Sequence, residues 1–238
     1  MRMGIVLLMM AASVTMGMAG DIIVQNVRGD VRVRHGVGEE WKTVSVGDVL
    51  KRDDTMMTGK KSSAVLAFQG SDAVRTKSIT LPGEVIVDIS DIRELSQEEL
   101  MLKLTMEKVR STSYEWKNKE LNIPNAAVTH GEDRAATPSM LEGDIHAGIL
   151  QLNGTRVLYD NGFFPTSALR TMDVLRRYPS LADRFESRIM IAQALEKANL
   201  RGEALNAYVN LSSAENLNPQ QRETLGRKIS QLRQQLGN

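Results

Sequence analysis

The chain is predicted to be α+β, an all-β N-terminal part followed by a helical C-terminal part. Three observations predict this. Between Ile22 and Ser90, apolar and polar residues alternate in short runs, the period of half-buried strands, with turn residues roughly every 8–12 positions. From 143 to Gln235 the apolar residues recur at helical spacing instead. Between the two, residues 111–142 hold Pro124 and Pro138 among Asn, Thr, Gly and charges, the composition of an extended linker.

The first segment is an address. Arg2 supplies a positive start, Gly4 to Met18 carry no charge, and Ile5 to Ala12 form an unbroken apolar run. Small residues follow at Gly17, Ala19 and Gly20, the layout of a secretory signal peptide cleaved after Ala19. Six of the thirteen methionines lie in the first eighteen residues, as befits a segment unlike the rest. The rival is an uncleaved anchor, since about 20 apolar residues span a bilayer; Ser13, Thr15, Gly17 and Gly20 dilute its second half. Nothing later in the chain has the length and apolarity of a span. An exported chain without cysteine has no disulfide framework, so a bacterial periplasm is the expected home.

The mature β part is expected over 20–110. Ile22 to Val27 leads to a turn at Arg28-Gly29-Asp30, Val31 to His35 alternates, and Gly36 and Gly38 break the run. Trp41 to Val46 alternates until Gly47-Asp48. Ser63 to Phe68, Asp72 to Thr80 and Glu84 to Ile89 complete the strands. Ser96-Gln97-Glu98-Glu99 has the spacing of a capping box and opens a helix carrying Leu100, Leu104 and Val109, expected to close this part. Within the linker, Ile123 to Val128 is expected either to add one strand or to dock on a neighbour.

The helical part is expected over 143–238. A first helix ends near Asn161-Gly162, and a second runs from Pro165 to Tyr178-Pro179. A third covers Ala182 to Asn199, a fourth Glu203 to Leu211, and Asn218-Pro219 opens a fifth that reaches Leu236. The hairpins resemble each other: Ala168 and Ala204 are 36 residues apart, each preceded by nine at Tyr159 and Leu195, and followed by four at Met172 and Tyr208.

Two resemblances follow from these residues. Gly29-Asp30-Val31, Trp41, Val46 to Leu50, Asp53-Asp54-Thr55, Thr58-Gly59 and Ser63 to Leu66 stand in the order found in the FecR domain, which Gly29 to Thr80 resembles. Gly70-Ser71-Asp72 departs from that family's usual Asp-Gly-Ser. Residues 147–236 are similar to two tetratricopeptide-like repeats and a capping helix, with Tyr159, Ala168, Ala192, Ala204, Tyr208 and Pro219 at matching positions and Arg156 as a departure. The FecR resemblance implies an exported recognition module of envelope signalling. What carries over is the extracytoplasmic module alone.

Composition excludes more chemistry than it invites. A net charge of +1, falling to zero once residues 1–19 take Arg2 with them, offers no general field for nucleic acid. Without cysteine there is no thiol nucleophile, zinc-thiolate site or lipidated terminus. His35, His130 and His146 are far apart, so no metal is expected. Gly59-Lys60-Lys61-Ser62 lacks the upstream glycine of a phosphate loop, and no cofactor is expected. Adjacent carboxylates such as Glu39-Glu40 and Asp53-Asp54 face opposite sides of a strand. Arg28-Gly29-Asp30 reads as a turn rather than an adhesion signal. Asn153-Gly154-Thr155 and Asn210-Leu211-Ser212 fit a glycosylation pattern inside helices.

One charge bias remains. From Asn161 onward there are eleven Lys/Arg against seven Asp/Glu, densest at Arg170, Arg176, Arg177, Arg184 and Arg188. These five are the candidate docking residues for an acidic partner. The expected role is non-enzymatic: an exported adaptor whose β part recognises an envelope protein while the helical hairpins bind a second protein. The alternative is a structural or secretion-accessory protein bound to peptidoglycan or an outer-membrane machine.

Overall fold

Alternation builds the first layer. In β2 (Val31–His35), Val31 and Val33 are buried while Arg32 and His35 are exposed, and β1 (Ile22–Arg28) opens the same way with Ile22 and Val24. Six further strands follow: β3 (Lys42–Thr43), β4 (Val49–Leu50), β5 (Asp54–Thr58), β6 (Ser63–Gln69), β7 (Thr76–Leu81) and β8 (Val85–Asp88). The computed structural model describes residues 22–36, 38, 40–69, 76–120 and 145–237, without the side chains of 69 and 111–120. The expected signal peptide, the strand at 123–128 and most of the linker lie outside the described residues.

The strands form two four-stranded antiparallel sheets, in the orders β4-β1-β6-β7 and β3-β2-β5-β8. Their apolar faces share one core: Val24, Leu66, Ile79 and Leu81 from the first sheet, Val31, Val33, Met56 and Val87 from the second. The connection β1–β2 switches sheets through Gly29, which has φ of 77° and sits so close to Ser62 that a Cβ would lie 2.5 Å from its Oγ. Only glycine fits that corner.

Six helices follow: α1 (Gln97–Glu120), α2 (Ile145–Asp160), α3 (Phe164–Arg177), α4 (Phe185–Lys197), α5 (Arg201–Ser212) and α6 (Pro219–Leu236). Each helix from α2 to α6 packs on the next in sequence. Small residues allow the close crossings: Ala168, Ala192 and Ala204 are fully buried. Helix α6 begins with a complete capping box, Asn218 accepting from the Gln221 amide and Gln221 from the Asn218 amide.

The two layers meet on α2. Its Leu152 belongs to the helical core, whereas Val157, Leu158 and the following Phe163 belong to the core of the sheets. Phe163 packs on Phe68 of β6 with ring centroids 5.8 Å apart. Full burial of such side chains contributes roughly 1.5–3 kcal/mol each, so the contact is a substantial fraction of net stability.

Four expectations are corrected. Trp41 to Val46 is a crossover more than a strand: only Lys42 and Thr43 pair in register with β2, Val44 N donates to Val31 O, and Gly47 N donates to Val24 O in the other sheet. Strand β5 has no counterpart in the sequence reading, because four of its five residues are buried and the alternating signature disappears. Helix α1 covers 111–120 of the expected linker, where neither Pro nor Gly interrupts it. Nor does α1 close the β part: Leu100 lies in the helical core with Leu104 packed against it, and α1 rests on α3. Its capping box is half-formed. The Glu99 amide donates to Ser96 Oγ, while the Glu99 side chain pairs with Arg93.

Candidate functional site

The outer face of the second sheet is where strand register and helix placement leave a cleft. In an antiparallel pair, directly opposed residues point to the same side. One row across β2, β5 and β8 is therefore Arg34–Thr55–Asp88, and the next is Arg32–Met57–Ile86. Helix α2 lies over β8 and stands closest at Gly154, where a Cβ would come within 2.0 Å of Ile86 O. Asn153 Nδ2 donates to Glu84 O at 2.8 Å and fixes the same joint. The helix thus covers the β8 end of both rows and leaves the β2–β5 side open. The resulting cleft is about 990 Å³, with Met57, Ile86 and Leu150 among its apolar lining and Trp41 and Tyr178 on its walls.

At the covered end the charges are spoken for. Thr55 Oγ1 donates to Asp88 Oδ1 at 2.7 Å, and Asp88 Oδ2 accepts from Arg170 Nη2. Arg170 also stands 3.4 Å from both Asp91 and Asp173. Asp173 in turn pairs with Arg176 and Arg177, Arg176 donates to Glu107 on α1 at 2.7 Å, and Arg177 donates to Gln151 on α2 at 2.7 Å. One network therefore ties β8, α1, α2 and α3 together. Burial pushes the Asp91 carboxyl up to about 6 against the pull of Arg170, with Asp88 and Asp173 adding to the rise. The hydrogen bond to Glu107 pushes Arg176 up, which keeps its guanidinium charged.

No protein-family model, curated protein or solved structure matches the chain.

The five predicted docking arginines do not form one patch. Arg170, Arg176 and Arg177 belong to the internal network just described. Arg184 is exposed immediately before α4, and Arg188 is half-buried on it; neither makes an ion pair among the described residues.

At the open end a different pair of cations stands apart. The Arg34 guanidinium lies over the Trp41 ring, 5.1 Å from its centroid. Arg34 Nε is shut off from solvent and donates to no acceptor among the described residues. Arg52, exposed, shares this end of the lining and has no ion pair among the described residues. The neighbouring acids differ in state. Asp54 is buried and accepts from Lys51 N at 2.8 Å while facing His35 Nδ1 at 2.6 Å, whereas Asp53 is exposed at the rim.

The other motifs are absorbed by the fold. Arg28-Gly29-Asp30 and Gly59-Lys60-Lys61-Ser62 are neighbouring strand connections, joined by Gly59 N to Asp30 O at 2.8 Å. Asn153 and Gly154 make the joint between α2 and β8, and Leu211 is buried in α5. His130 lies outside the described residues, and His146 lines the cleft at the start of α2. Among the described residues no group of three or more His, Cys, Asp or Glu side chains could hold a metal ion, and no helix is long and apolar enough to cross a membrane. Arg34 and Arg52 escaped the sequence reading as site residues, and Trp41 entered it only as part of strand and family patterns and not as a binding group. Arg34 looks like any outward residue of an alternating strand, and its place opposite Trp41 depends on the β2–β3 register.

Proposed function

We propose that this chain is a non-enzymatic exported adaptor of the cell envelope that binds partner proteins through the open cleft and the stacked helices. The carrying observation is the half-covered outer face of the second sheet, an apolar floor with an aromatic wall and two cations that have no ion pair among the described residues. Such a surface suits recognition of an extended segment, with few polar groups fixing orientation over an apolar bed. The order of α2 to α6, each helix packed on its sequence neighbour with small residues at the crossings, supports a tetratricopeptide-like hairpin stack that offers a second surface. The FecR-like pattern and the export signal supply the envelope setting. Because α2 serves both cores, both surfaces ride on one body.

The test uses the chain as bait in envelope extract, with a photo-crosslinking residue in place of Arg52 at the cleft or of Arg184 beside α4. The expected result is a discrete protein adduct at one or both positions. Hydrolysis of peptide, glycan or ester substrates by the purified chain would refute the adaptor. So would co-sedimentation with protein-free cell-wall sacculi without any protein adduct, which is the outcome of the peptidoglycan alternative.

A further inference from the structure

Resting on the adaptor reading, we propose that the open end of the cleft captures an acidic side chain of an extended partner segment, the carboxylate lying against Arg34 on its Trp41 platform with Arg52 at the rim. The open end of the cleft carries an imbalance. A guanidinium with a desolvated nitrogen and no acceptor is costly unless something supplies the missing hydrogen bond. Arg34 is in that condition among the described residues. Its position over the Trp41 ring restrains the guanidinium, and a planar fork suits a planar carboxylate.

The other charged groups around the cleft do not answer this need. Asp88 and Asp173 are bound by Arg170, and Arg177 is bound by Asp173. Asp54 is held by the Lys51 amide and faces His35. Asp53 remains at the rim beside Arg52, and His146 stands at the start of α2. The site left for an anion is local and small: Arg34 first, Arg52 second.

The floor decides what carries the anion. Met57, Ile86 and Leu150 share the cleft lining with Arg34 and offer apolar contact along it, so the acid is best flanked by apolar side chains. A phosphate or sulfate polymer would leave that floor uncovered. About 990 Å³ is at the upper end of small-ligand pockets, roughly 300–1,000 Å³, and holds several residues of an extended chain.

The probe is a capped heptapeptide of alternating valine and glutamate, compared with its glutamine analogue and with inorganic phosphate. Binding is followed by Trp41 fluorescence in a Trp116→Phe background, since the chain has only these two tryptophans, and by the Arg34 Nε–H resonance. The glutamate peptide should bind about tenfold or more tightly than the glutamine peptide, as hydrogen bonds to charged groups require. Arg34→Gln should abolish that preference and Arg52→Gln should reduce it about threefold by weakening rim attraction. Arg201→Gln, at an exposed residue that opens α5 away from the cleft lining, should leave it unchanged. Equal binding of the two peptides overturns the proposal. So does displacement of the glutamate peptide by equimolar phosphate, or a preference that survives both Arg34→Gln and Arg52→Gln. If wild type and Arg34→Gln capture the same crosslinked partner equally, the adaptor stands and the carboxylate site falls. If wild type captures none while the peptide preference holds, the adaptor falls alone.

Discussion

Gly154→Ala is the sharpest test of how the two layers are joined. A Cβ at 154 would stand 2.0 Å from Ile86 O and 3.0 Å from Ile86 C and Val87 Cγ2. Ordinary C···O contact begins near about 3.3 Å, so α2 must retreat from β8 by roughly 1.3 Å. The obstruction is a strand carbonyl, which cannot rotate away as a side chain would. Retreat stretches the hydrogen bond from Asn153 to Glu84 O and loosens Val157, Leu158 and Phe163 in the core of the sheets. Overpacking of this kind costs about 1–3 kcal/mol or more, and the better helix propensity of alanine returns up to about 1 kcal/mol. A net loss of about 2 kcal/mol is expected, or a fall in Tm of about 4–8 °C for a chain of this size. Thermal and urea unfolding measure it. Gly226→Ala, in α6 with nothing within 4 Å of a new Cβ, is the control and should gain about 0.5–1 kcal/mol. If Gly154→Ala stabilises the protein as the control does, α2 does not rest on β8 in this way.

Three further outcomes are expected. Arg170→Leu leaves Asp88, Asp91 and Asp173 facing one another and should cost about 2–4 kcal/mol at pH 7.5, partly recovered at pH 5; urea midpoints at the two pH values check it. Asp91 holds its proton more tightly folded, at about 6, than at its ordinary 3.8, so the stability it contributes is complete below 3.8 and is lost as pH rises through about 6. Asp91→Asn should therefore gain on wild type across that window, by up to about 3 kcal/mol, and parallel pH–stability curves would refute this. Tyr208 is fully buried and donates to Glu196 at 3.0 Å; burial and the Glu196 charge push its hydroxyl up, so it should not ionise in an ultraviolet alkaline titration of the folded chain. Tyr208→Phe should cost about 1 kcal/mol in chemical denaturation, because Glu196 keeps Lys228.

Local patterns made part of this molecule legible. Alternation at Val31 to His35 and Ser63 to Phe68 marks strands buried on one face, and Asn161-Gly162 and Asn218-Pro219 mark helix ends because their chemistry acts within one turn. Strand β5 was not legible: four of its five residues are buried, so no apolar–polar alternation marks it. The ion-pair network was equally hidden. Arg170 meets Asp88 across 82 residues and Arg176 meets Glu107 across 69, distances no local pattern encodes. The arginine density was visible, but its use in holding sheet to helices was not. Gly154 carried a signal that went unread, since glycine inside a helix commonly marks a close approach.

The sharing of α2 between two cores also sets how the chain should yield to force. Pulled from Gly237 with the sheets anchored, α6, α5 and α4 each hold mainly their immediate neighbours and should peel away in small successive extensions. The peeling should pause at α3, which Arg170 fastens to Asp88 and on which α1 also rests. Beyond that point α2 cannot leave without drawing Phe163, Leu158 and Val157 out of the sandwich, so the last event should be a single large rupture in which helix and both sheets let go together. An optical-trap record with a late release of α2 separate from the sheets would contradict this order.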